Sequence, residues 1–206
     1  MAHPTRTDLK TACETLADRD LVLARIYATL GVPDWRAAPA SFETLARSVI
    51  YQLLSTKAAA TIWGRVAGLL DGDVNQNSIL ATDETALRAC GVSRPKIRHM
   101  RAIAEAVQTG ALDFNRLKRS DIGQARGELV AVKGIGPWTA EIFLMNAVGH
   151  LDAFPVGDVG LMEGYRRAAE APERLGSKPF SELAETWRPY RGVAAHLLWN
   201  WRNNMP

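Results

Sequence analysis

The residues that most clearly could do chemistry lie between positions 129 and 161. Leu129-Val-Ala-Val-Lys-Gly-Ile-Gly-Pro-Trp-Thr-Ala-Glu-Ile-Phe-Leu-Met145 runs from one apolar segment through Gly134-Ile135-Gly136 into Pro137 and a second apolar segment. Proline suits a first helical position, where its missing N–H would have had no intrahelical partner. Glycines at 134 and 136 permit positive φ and leave the main chain uncovered, so amides at the turn and at the new helix start can approach a phosphate. The same spacing also serves a tight αα-turn in which the glycines supply geometry alone. Twenty residues beyond Trp138, Asp158 follows Gly157 and precedes an apolar run, where an aspartate caps a helix. A carboxylate can also stabilise positive charge developing on a substrate and orient water.

The elements that must position these residues are helical. No segment sustains a two-residue alternation rich in Val, Ile and Thr, so the chain is predicted to be all-α. Asp8 to Leu30 reads as one amphipathic helix with Leu16, Leu21, Leu23, Ile26, Tyr27 and Leu30 on its apolar face, stopped by Gly31 and Pro33. Ser41 caps the next, whose buried stripe is Phe42, Leu45, Val49, Leu53 and Leu54. Further helices are predicted over 57–70, 83–90, 94–109, 121–132, 137–148, 158–169 and 180–202. Turn signals fall at Asp71-Gly72-Asp73, Gly91, Gly110 and residues 172–179, and none is a flexible linker.

Composition narrows the classes. With 206 residues, 47% of them apolar, the chain can build a real core in one domain or two small lobes. Only Cys13 and Cys90 are present, which excludes a disulfide framework and a cysteine-built zinc or iron–sulfur centre; both are expected as buried thiols. His99, His150 and His196 have no metal-ligand spacing. Asp8, Glu14, Asp18, Arg19 and Asp20 interrupt the first thirty positions, and no apolar run reaches eighteen residues, so no membrane partner and a cytoplasmic location are expected. The net charge of +3 permits a polyanionic partner without requiring one. Arg88, Arg94, Lys96, Arg98 and Arg101 cluster, followed by Arg116, Lys118, Arg119, Arg126 and Lys133; a solvated helix face accounts for such groups as well as an anion-binding one does.

The longer pattern is specific. Leu-Val-x-Val-Lys-Gly-Ile-Gly-Pro-Trp-Thr-Ala, followed by Phe154-Pro-Val-Gly-Asp-Val-Gly-Leu161, resembles the hairpin and Gly/Pro-rich loop with aspartate of the helix-hairpin-helix base-excision DNA glycosylases. The resemblance extends to Phe42–Ser55, Gly91-Val-Ser-Arg-Pro-Lys96, Trp187-Arg-Pro-Tyr-Arg191 and His196-Leu-Leu-Trp199, covering about residues 40–202 in order. Within the superfamily the chain is most similar to the 3-methyladenine DNA glycosylase II branch, in a compact form without an N-terminal β-domain. The position that carries a Schiff-base lysine in bifunctional members holds Trp138, and no cysteine follows Cys90 where iron–sulfur members have four.

That resemblance implies one unit over 1–206 made of two packed helical subdomains with an active-site cleft between them. The implied lobes are 40–115, bearing an intercalating wedge, and 1–39 plus 116–206, bearing the hairpin and the catalytic carboxylate. Asp158 is implied as the catalytic residue of a monofunctional enzyme that excises alkylated purines such as 3-methyladenine and 7-methylguanine from double-stranded DNA by base flipping. Trp138, Trp199 and Tyr51 are implied as the substrate pocket. Gln52, Leu53, Lys133, Gly134, Gly136 and Thr139 are implied to bind DNA, with Lys96 as a further phosphate contact and Leu53 as either wedge or core. Trp187 and Trp63 are read as packing residues. No cofactor is required, although the carbonyls of Val130, Val132 and Ile135 are implied to hold Na+ or K+ at the hairpin. A monomer associated with the nucleoid is expected. Ile142, Val159 and Gly160 stand where some relatives have bulkier or aromatic groups, which leaves other lesions open: uracil, hypoxanthine or etheno-adenine. A non-catalytic hairpin module would keep Gly134, Gly136 and Lys133 but needs neither Asp158 nor a tryptophan pocket.

Overall fold

The computed structural model describes residues 3–205. In chain order the helices are α1 (Arg6–Arg19), α2 (Leu21–Leu30), α3 (Phe42–Tyr51), α4 (Thr56–Leu69), α5 (Gln76–Ala81), α6 (Glu84–Ala89), α7 (Arg94–Gln108), α8 (Phe114–Arg119), α9 (Ile122–Val130) and α10 (Pro137–Phe143). A π-helical turn, Leu144–Val148, precedes α11 (Val159–Ala168), α12 (Ser177–Glu185) and α13 (Arg191–Asn204). The described residues contain no strand, and none of their helices is long and apolar enough to cross a membrane.

The chain divides into two compact units. One joins the residues up to Ala37 with those from Leu144 onward, and the other is Ala38–Phe143. The hairpin therefore groups with the segment bearing Leu53, whereas the resemblance implied that it belongs to a lobe of 1–39 plus 116–206. The reason is packing: α10 lies on α3 and α9, and α8 on α9, so these helices complete the core begun by α3 and α7.

In the first unit α2, α11 and α13 pack on one another, and α1 on α2 and α13. Its core includes an aromatic cluster in which Trp187 meets Phe180 edge-on at 5.8 Å and Phe154 at 5.9 Å. Such tilted and edge-on pairs add to the area buried. In the second unit α3, α5 and α6 lie against α7 around Leu45, Ile50, Ile79, Leu87, Ile97 and Met100, all fully buried.

Two expected helices are each split, and two further helices are present that the periodicity did not announce. The single helix over 8–30 is two, because the Asp20 carboxylate accepts hydrogen bonds from the amides of Val22 and Leu23 and so starts α2 afresh. Leu21, assigned to the apolar face, is 89% exposed as a result. The helix over 180–202 is also two: α12 begins at Ser177, and the chain turns before Arg191 through Pro189, which has no N–H to continue a helix. Helices α5 and α8 were missed although Asn75 and Asp113 cap them. Cys13 and Cys90 are free and buried, and burial pushes the Cys13 thiol up to about 12.

Candidate functional site

The Ala38–Phe143 unit contributes a turn and a hairpin. Helix α3 ends at Tyr51, after which Leu53 takes φ +57° and stands fully exposed, outside the buried stripe where its spacing placed it. A left-handed Leu costs about 1–2 kcal/mol, and an exposed one forgoes burial as well, so the surrounding structure imposes this conformation. Gln52 Nε2 donates to Thr139 Oγ1 at 2.9 Å, and Lys96 Nζ donates to the carbonyls of Ile50 and Gln52, each at 2.7 Å. Two sequence readings change here. Thr139, expected to meet phosphate, is 2% exposed and serves as the acceptor for Gln52. Lys96, expected on phosphate too, turns its ammonium onto the end of α3.

The hairpin leaves α9 through hydrogen bonds from the Val132 amide to the Leu129 carbonyl and from the Ile135 amide to the Val132 carbonyl, both 3.1 Å. Gly134 has φ +97°, and a β-carbon there would lie 2.4 Å from Cβ and Cγ of His99, so backbone and neighbour both demand glycine. Among the described residues, no hydrogen bond engages the Gly134 and Gly136 amides. Lys133 and Gly136 are exposed beside them. A cavity of about 810 Å³ in this unit is lined by the turn and the hairpin, including Tyr51, Leu53, His99 and Trp138. Trp138 is 43% exposed, and the Arg47 guanidinium lies over the Tyr51 ring at 5.4 Å. Behind the hairpin, Arg126 pairs with the buried Glu141 of α10.

The other unit carries Asp158. The turn Phe154–Gly157 delivers it to the N-cap of α11 with its amide donating to the Pro155 carbonyl at 2.9 Å. Asp158 Oδ1 accepts from the Leu161 amide at 3.0 Å and from Trp199 Nε1 at 3.2 Å. The second bond requires α11 and α13 to approach closely, which Gly164 allows: a β-carbon on it would lie 2.5 Å from the Leu198 carbonyl oxygen. The start of α13 is tied to the loop before Asp158, because Arg191 donates to both oxygens of Asp152 at 2.9 and 2.8 Å and the Gly192 amide donates to the Leu151 carbonyl at 2.7 Å. The Trp187–Arg191 motif is therefore scaffolding. Trp187 itself is fully buried and donates Nε1 to Asp20 at 2.9 Å, and Trp63 is buried as well.

Sequence reasoning missed Trp35 and Arg36. The Arg36 guanidinium lies over the Trp199 ring at 5.4 Å, and Trp35 stacks on His196 at 4.3 Å. The His196 ring is fixed between the Gly192 carbonyl, 2.8 Å from Nδ1, and the Arg36 amide, which donates to Nε2 at 3.3 Å. Burial holds its pKa down to about 4. The available signal was a tryptophan and an arginine in the short irregular stretch between Pro33 and Pro39, a place where aromatic groups seldom serve a helix face.

Comparison with known proteins gives a consistent result. The model of the HhH-GPD superfamily base excision DNA repair proteins matches residues 46–189. A probable bifunctional transcriptional activator/DNA repair enzyme AlkA of Mycobacterium tuberculosis is 31% identical over 93% of this chain, which spans only 43% of that relative's length. DNA-3-methyladenine glycosylase 1 of Schizosaccharomyces pombe is 30% identical over 77% of this chain and 71% of its own. Among solved structures, a DNA-3-methyladenine glycosidase of Bacillus halodurans superimposes with a TM-score of 0.85 at 35% identity, covering 94% of this chain and 89% of that one. The 3-methyladenine DNA glycosylase of S. pombe, solved with abasic DNA, gives 0.82 at 28% identity over 92% and 95%. The glycine-bound hairpin, the capping aspartate and these matches agree: the chain belongs to the HhH-GPD superfamily of base excision DNA repair proteins.

Proposed function

We propose that this protein is a monofunctional DNA glycosylase that hydrolyses the N-glycosidic bond of alkylated purines in double-stranded DNA, with Asp158 as its catalytic carboxylate. The observation that carries the reading is the fixed Asp158 carboxylate, held at a helix start by the Leu161 amide and by the indole of a tryptophan. Relatives named as 3-methyladenine glycosylases support the substrate class.

A purine methylated at a ring nitrogen is cationic, so its glycosidic bond is weakened and the base leaves as a neutral molecule without a strong general acid. Positive charge develops on the sugar as an oxocarbenium ion. Asp158 stabilises that charge and orients or deprotonates the water that adds to the sugar carbon, which leaves an abasic site. No lysine stands at position 138 to form a Schiff base, which supports hydrolysis without strand cleavage. Trp199 is 8% exposed and already carries the Arg36 cation over its face, the kind of attraction that suits a cationic base; within the Ala38–Phe143 unit, Tyr51 and Trp138 line a cavity of their own.

Extracting the base from the stack costs a few kcal/mol, less for a damaged one. Exposed Leu53 fills the gap in the stack, and Gln52 holds the turn on which Leu53 rides. The amides of Gly134 and Gly136, with Lys133, receive a phosphate. The carbonyls of Val130 and Ile135 accept no hydrogen bond among the described residues, and that of Val132 keeps one lone pair, so the three fit a monovalent cation that would add positive charge at that phosphate. Monomeric action in the cytoplasm on nucleoid DNA completes the proposal.

The test is release of free base from methylated duplex DNA by wild type and Asp158→Asn, with strand breaks scored before and after alkali. Release of 3-methyladenine or 7-methylguanine by wild type only, with breaks only after alkali, is the expected result. No release from methylated DNA would move the assignment to another lesion, tested next with uracil, hypoxanthine and etheno-adenine, or to a non-catalytic module.

A further inference from the structure

Lys96 stands out because its ammonium is used against expectation. Lysine normally keeps its charge in water or beside a carboxylate, yet here its ammonium donates to two main-chain carbonyls, those of Ile50 and Gln52, at 2.7 Å each. Burial lowers its pKa, so the placement works against the charge it holds. Those carbonyls belong to the end of α3, where the last C=O groups lack intrahelical partners and the helix dipole favours a cation. They also bracket the point at which the chain must leave the helix and enter the left-handed conformation of Leu53. On the other flank of the same turn, the Gln52 side chain is fastened to Thr139 at the start of α10. The turn is therefore held from α7 on its main chain and from the hairpin on its side chain.

We infer that Lys96 is a positioning residue for base extrusion: it clamps the end of α3 so that Leu53 is presented to the duplex before DNA binds. This rests on the glycosylase reading above. A rigid wedge does not have to be ordered at the moment of insertion, so the clamp acts on the step in which a paired base leaves the stack. It has no part in bond cleavage once the base is out.

The experiment compares wild type, Lys96→Met, Leu53→Ala and the double variant in single-turnover excision of one lesion, placed either in a normal pair or opposite an abasic spacer that leaves it unpaired. Lys96→Met is expected to lose about tenfold or more on the paired substrate and less than about threefold on the unpaired one. Leu53→Ala should show the same split, and the double variant should be no slower than Leu53→Ala alone within about twofold, because two residues serving one step are not additive. Equal loss on both substrates, or losses that multiply in the double variant, would overturn the inference. Hydrogen exchange across residues 51–55 should rise in Lys96→Met, and unchanged exchange would overturn it too. If Lys96→Met does not fold, Lys96→Gln, which keeps one donor group, is judged by the same criteria. Absence of excision by wild type would instead count against the glycosylase reading, while exchange at 51–55 still decides whether Lys96 orders the turn.

Discussion

Gly164 of α11 lies directly against the main chain of Leu198 on α13, so close that any β-carbon would come 2.5 Å from the Leu198 carbonyl oxygen and 3.1 Å from its carbon. One residue beyond Leu198, Trp199 donates to Asp158. The helix contact and the hydrogen bond thus form one arrangement. Gly164→Ala is expected to force α11 and α13 apart, costing about 1–3 kcal/mol as overpacking does, and to slow excision by loosening Asp158. Thermal unfolding and single-turnover base release check it, and an unchanged melting temperature would show that the contact yields more easily than the geometry implies.

Asp158→Asn separates charge from scaffold. Asparagine caps helices as well as aspartate does and can still accept from the Leu161 amide, so the fold should persist. Excision should fall by about 100-fold or more, the scale on which lost electrostatic stabilisation is felt. Affinity for a duplex with an abasic analogue, read by fluorescence anisotropy, should change little. Loss of binding together with activity would argue that Asp158 shapes the DNA surface.

Gly136→Asp addresses the hairpin. Gly136 is exposed and its amide has no internal partner, so the substitution places an anion where a phosphate is expected. Affinity for all duplexes should drop alike, damaged or not, with a shallower dependence on salt. Equal affinity in wild type and variant would remove the hairpin from the DNA interface.

The depressed His196 imidazole makes a pH prediction. Its folded pKa of about 4 lies below the ordinary 6.5, so between these values the unfolded chain binds more protons than the folded one. The stability this group contributes is complete above pH 6.5 and is lost as pH falls toward 4, amounting to about 2 kcal/mol at pH 5. Urea unfolding at pH 7.5 and 5 should show that loss, reduced in His196→Gln. The Glu163 carboxyl, held down to about 2 by Arg166 and Arg167, acts only at lower pH, whereas burial of His99 adds in the same direction as His196. An identical pH dependence in the variant would assign the effect elsewhere.

Much of this was legible in the sequence where the signal is local. Gly134, Gly136 and Pro137 announce the hairpin because turn geometry and helix starts are set within a few residues, and Asp158 is legible as a helix cap because it follows Gly157 and precedes an apolar run. Asp20 was not legible: it sits in an unbroken amphipathic pattern, and its capping is reinforced by Trp187, far along the chain. Lys96 reaches back more than forty positions to its carbonyls, and the pairing of Arg36 with Trp199 spans still more, so periodicity cannot reveal either. Leu53 illustrates the opposite failure. Its spacing is correct for a core stripe, but α3 stops two residues earlier, and a boundary error of that size turns a buried leucine into an exposed one.

Gly134 and Gly164 differ in whether a second mutation could rescue their loss. At position 134 the obstacle is the His99 side chain from its β-carbon outward, so His99→Gly is the replacement that removes it and should partially suppress Gly134→Ala, limited by the remaining φ strain. At position 164 the obstacle is a carbonyl group that every amino acid carries. No replacement of Leu198 can remove it, and genetic selection for revertants of Gly164→Ala should return glycine itself or changes remote from the contact.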